Sequence, residues 1–140
     1  MRCWACCALL FVAHQALAHD SATLDAIPSA HGGQVRMAGP FHIELLLEKG
    51  TVRKKRAVHV YLQNHLMQGV SSAGTKATVT IKDGMSSVAH LIPNGPESLG
   101  GSATYGMSAT LTAVVSLTAN DGEVWTATFT PGAPKPTNPK

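Results

Sequence analysis

The chain has no cysteine beyond its seventh residue: Cys3, Cys6 and Cys7 are the three it contains. They fall in a segment laid out as a secretory signal peptide, with basic Arg2, an apolar run from Ala8 to Ala13 and a small-x-small ending Ala16-Leu17-Ala18. Cleavage before His19 leaves a mature protein expected to hold neither disulfides nor thiolate ligands. Neither Cys6 nor Cys7 follows a completed apolar core, which disfavours a lipoprotein. Long apolar runs are missing as well. A membrane-spanning helix needs about twenty such residues, and no segment comes close, so a soluble periplasmic protein is expected.

Charge of one sign is scarce. The eleven Lys and Arg include Arg2, so ten basic residues face eight acidic ones in the mature chain, a net charge of +2. The single dense run, Arg53-Lys54-Lys55-Arg56, has no interleaved aromatics and reads as a solvated turn, which excludes a nucleic-acid footprint. Catalytic signatures are missing too: the expected mature chain has no thiol, no phosphate-cradling loop and no spacing that makes a Ser-His-Asp triad. An enzyme is not expected.

What the chain does have is alternation. Residues 19–40 are rich in Ala, Ser, Gly and Pro and read as an irregular arm. From Phe41 one face carries Phe41, Ile43, Leu45 and Leu47, and the other His42, Glu44, Leu46 and Glu48. Period two indicates a half-buried strand. A second strand, Ala57 to Gln63, points Val58, Val60 and Leu62 inward, and Lys49-Gly50 with the basic run forms the hairpin loop between them. Further strands are expected at Lys76 to Lys82, Ser87 to Ile92, Ser108 to Thr118 and Glu123 to Thr130. Asp83-Gly84 and Asn120-Asp121-Gly122 serve as turns, and Pro93-Asn94-Gly95-Pro96 as a break. The expected fold is an immunoglobulin-like antiparallel β-sandwich of six to seven strands over residues 41–130. Residues 131–140, with four prolines, read as a flexible or extended tail.

Chemistry concentrates at His31-Gly32-Gly33, His42-Ile43-Glu44 and Asn64-His65. Imidazole and carboxylate are the usual ligands of zinc and cupric copper. If the first hairpin turns near Thr51-Val52, Leu47 lies near Val58 and His42 near Gln63, which brings His65 beside His42. Side chains 42 and 44 share the non-core face, about 6.5 to 7 Å apart at Cα. Gly32-Gly33 lets the arm bend so that His31 reaches the same strand end. His59 lies nearer the hairpin loop and ranks behind these, and His90 stands on a separate strand.

These residues, together with Val60-Tyr61-Leu62, resemble small proteobacterial periplasmic domains of the HGG…HxEL…VY(L/V)xDH type. Their counterparts occur in adaptor subunits of heavy-metal efflux systems of the resistance-nodulation-division class. The likeness runs from about His31 to Phe129 and implies a β-sandwich with a role in periplasmic metal handling, His31, His42, Glu44 and His65 being the matching positions. Two departures stand out: Asn64 replaces the usual aspartate, and Arg53 to Arg56 enlarge the hairpin loop.

Met37 and Met67 add soft thioethers near His31 and His65, which favours copper over zinc. The function expected is a periplasmic metal carrier, buffer or accessory of efflux. Two alternatives remain. The mature N-terminal His19 could chelate cupric copper through its amine and imidazole, as in CopC-type carriers. Otherwise no metal binds, and exposed Leu46 and Tyr61 with the basic loop dock a membrane or efflux partner.

Overall fold

The computed structural model describes residues 21–135. The leader and His19 lie outside them. A short helix α1 (Ser21–Ala26) precedes eight strands: β1 (Gln34–Ala38), β2 (Phe41–Leu47), β3 (Lys54–Gln63), β4 (Lys76–Lys82), β5 (Ser86–Pro93), β6 (Ser98–Tyr105), β7 (Thr112–Thr118) and β8 (Val124–Phe129). All neighbours pair antiparallel in the order β1-β2-β3-β6-β5-β4-β7-β8. The fold is the expected all-β one, but its eight strands form one continuous sheet that curls into a barrel-like sandwich. Among the described residues the strand ladder passes from one half to the other through Ile92↔Gly100 and Pro93↔Leu99.

Inward positions at period two build one core. Ile43, Leu45, Val58, Val60 and Leu62 come from one half, and Val79, Ile81, Leu91, Val115, Leu117 and Phe129 from the other. Each fully buried side chain of this size is worth roughly 1.5–3 kcal/mol of transfer free energy, so the strand pattern itself drives closure. The two sheet edges, β1 and β8, approach each other. Side chains bridge them: Thr130 N–H donates to Gln34 Oε1 at 2.7 Å, and Trp125 packs where Gly39, at φ +57°, leaves no Cβ in its way.

Three segments depart from the sequence reading. The arm is partly regular, since β1 pairs with β2 through the two-residue turn Gly39-Pro40, and Leu24 of α1 is buried. Five-residue β1 is too short for its alternation to stand out. The basic run is not all loop, because β3 begins at Lys54 and Arg56 turns inward to donate to Lys49 O (3.0 Å) and Val52 O (2.9 Å). Strand β6 carries Gly100 and Gly101, residues of poor strand propensity, and only its pairing with β3 makes it a strand.

The loops at that end of the barrel are tied by two buried polar groups. Tyr105 shares its hydroxyl proton between Ala57 O (2.9 Å) and Glu48 O (3.2 Å), and burial pushes its phenol up to about 12. Asp83 accepts from Gly106 N–H at 2.7 Å and from Arg53, bonds that hold its carboxyl below the usual range in spite of burial. A carboxyl depressed in the folded state stabilises it above the unfolded value, near pH 3.9, and that contribution disappears as pH falls through the folded value. Asp83→Asn is therefore expected to cost about 1–3 kcal/mol at neutral pH. The gap between the two unfolding curves should narrow as pH falls below the unfolded value, about 3.9; a gap that stays constant into acid would refute the account that the Asp83 carboxylate is what stabilises the loops.

Candidate functional site

The first hairpin has the register that the alternation implies: His42 pairs with Gln63, Glu44 with Tyr61, and Leu47 with Val58. His42 and Glu44 therefore share the outer face of β2. That face is covered, leaving His42 and Glu44 both buried.

The covering over Glu44 is the arm. Glu44 Oε1 accepts His31 N–H (3.0 Å) and Gly33 N–H (2.8 Å), and Oε2 lies 2.9 Å from His31 Nδ1. A buried carboxylate needs such donors, and here both oxygens are used. Gly33 has to be glycine. A Cβ there would collide with the Leu45 carbonyl oxygen and lie 2.9 Å from Glu44 Cγ. Gly32, at φ +83°, supplies the bend. The His31 ring then stacks on Tyr61, centroids 3.6 Å apart and planes within 5°. As a carboxylate only accepts, His31 donates through Nδ1, which leaves Nε2 outside that bond on a side chain that is 41% exposed.

The second grouping is at the start of β2. The rings of His42 and His65 stand 5.2 Å apart between centroids, nearly perpendicular at 74°. His65 follows the end of β3 on a loop that Asn64 holds closed. Asn64 Oδ1 accepts from Leu66 N–H (2.9 Å) and Gln68 N–H (3.0 Å), and its Nδ2 donates to Gln68 Oε1 at 3.0 Å. Aspartate at this position would keep the first two bonds but not the third. Met67 sits in that loop at φ 60°, a left-handed conformation that costs a non-glycine residue free energy. Met37 pairs directly with His42 across β1 and β2, which puts their Cβ atoms about 4.5–5.5 Å apart.

The four histidine and glutamate positions thus form two adjacent pairs, His31 with Glu44 and His42 with His65. Among the described residues, no three His, Cys, Asp or Glu side chains gather closely enough to hold a metal ion as placed. His59 stands farther along β3, 6.3 Å from the Tyr61 ring, with Asn94 Nδ2 3.4 Å from its Nδ1. His90 lies exposed on β5, opposite Thr78. Leu46 is only half exposed, and so is Tyr61 beneath the His31 ring.

Sequence reasoning missed Asn64 and Tyr61 as parts of this architecture. Asn64 had a legible signal, an Asx residue closing a turn two and four positions on. The stack on Tyr61 had none, because it joins residues thirty positions apart. Searches of family models, of curated proteins and of solved structures gave no match to this chain.

Proposed function

We propose that this protein binds a transition metal, with cuprous copper preferred over zinc, and acts in the periplasm as a carrier, buffer or accessory of metal export. His42 and His65 supply two imidazoles and Met37 a thioether. Glu44 fixes the ring of His31, which offers Nε2 beside this group as a ligand for entry and exchange. Histidines oriented through their second nitrogen by a carboxylate are a recurrent feature of metal sites.

The observation that carries this reading is the spacing of the His42 and His65 rings. An ion about 2.0–2.1 Å from one nitrogen of each ring lies about 3.2 Å from each ring centre, and a tetrahedral angle then sets the centres about 5 Å apart. The rings stand at 5.2 Å. Two imidazoles and one thioether make a soft, low-coordinate donor set, which suits cuprous copper better than zinc. Release to a partner would proceed by ligand exchange.

The test is competition against a chromogenic chelator, with cuprous, cupric and zinc ions in turn. Cuprous binding tighter than about 1 μM, corresponding to about 8 kcal/mol, is expected at pH 7.5. It should weaken strongly at pH 5, because only neutral imidazole coordinates. Equal affinity at the two pH values would exclude histidine ligation, and no binding of any ion would leave the docking alternative.

A further inference from the structure

A cleft of about 250 Å³ opens between α1, the arm and the chain that follows β8, at the end of β2 away from the His42 and His65 pair. Its floor includes buried Leu24, and its walls include Met107, Pro131 and Ile27, the last 39% exposed. This is the space of about eight water molecules at ~30 Å³ each, enough for a short aliphatic chain with its head group at the rim.

The charges around the cleft have one sign left over. Among the described residues Asp25 is the one carboxylate in its lining, and its oxygens are engaged: Arg36 reaches both at 2.7 and 3.2 Å, and Gln34 Nε2 donates to Oδ1 at 3.2 Å. Lys49 and Lys135 also line the cleft and both residues are exposed; among the described residues neither forms an ion pair, and Lys135 acts on the Asp25 carboxylate only at longer range. Apolar side chains beside two ammonium groups that no carboxylate bonds directly complement an amphipathic monoanion.

We infer that this cleft is a binding site for a medium-chain aliphatic carboxylate, with the chain on Leu24, Ile27 and Met107 and the carboxylate between Lys49 and Lys135. The inference uses none of the histidines and stands apart from the metal reading. Octanoate is the probe, with octan-1-ol as its neutral counterpart, each titrated into the full chain and followed by amide chemical shifts.

Octanoate should saturate below about 1 mM, with shifts confined to the cleft. It should bind about five-fold tighter than octan-1-ol, the size that two rim charge contacts give. Lys49→Gln with Lys135→Gln should erase that preference, and Ile27→Trp, which fills the space, should abolish both titrations. Equal affinity for the two probes would overturn the inference. So would shifts spread over the exposed Val88 and Val114 face, no saturation by about 5 mM, or undiminished binding to the Ile27→Trp protein.

Discussion

Replacing Glu44 by alanine is expected to lower the free energy of unfolding by about 2–4 kcal/mol, one of the larger losses available outside the apolar core. The carboxylate is fully buried and takes three donors, two of them backbone N–H groups of the arm. Alanine leaves these donors without an acceptor. Each buried orphan costs about 1–3 kcal/mol, but the arm ends near solvent and can partly turn out, so the total falls short of the sum. Glu44→Gln keeps the volume and one acceptor oxygen and removes only the charge. The amide oxygen can still accept from His31 and Gly33 N–H, while its NH2 faces Nδ1, which becomes an acceptor if the imidazole proton moves to Nε2. The glutamine variant should therefore lose only about 1 kcal/mol. Denaturant unfolding with both variants is the check, and equal losses would mean that the carboxylate charge, which the amide lacks, rather than an acceptor oxygen as such, holds the arm. Loss of His31 stacking on Tyr61 should accompany the alanine variant, visible as a change in the Tyr61 ring signals.

The sequence made the first hairpin legible down to its register, because period two leaves no freedom once one face must be buried. A one-residue slip would carry Ile43, Leu45 and Leu47 out of the core. That register alone brought His65 to His42 and put Glu44 on the outer face. The fate of that outer face was not legible. Alternation says which side a residue takes and nothing about what later covers it, so Glu44 and His42 looked solvated and are buried. Strand β6 was hidden for a related reason: Gly100 and Gly101 have no side chain to show a pattern, and their place is set by partners about forty residues upstream on β3. Arg56 looked like part of a solvated charge run, whereas its guanidinium is buried in loop carbonyls.

The largest effect expected at the proposed metal site comes from His65. It stands exposed on a loop whose shape is set by Asn64, so His65→Ala should leave folding stability within about 0.5 kcal/mol of the parent. Cuprous affinity should nonetheless fall at least about 100-fold, since even residues that only orient a ligand cost 10–100-fold when removed. A ligand that binds only the folded state raises stability by RT ln(1 + [L]/Kd), about 4 kcal/mol at a thousand times Kd, so thermal unfolding with and without the ion reads the loss directly. Met37→Leu then tests which metal the site suits. It keeps the packing of a side chain paired with His42 but removes the soft donor, so cuprous affinity should drop while zinc affinity stays near its parent value. His65→Ala combined with Met37→Leu should lose less than the two single effects added together, because donors to one ion act as a unit. Strict additivity would place the two residues in separate sites. An unchanged copper-induced shift in the His65→Ala protein would remove the His42 and His65 pair from metal binding altogether.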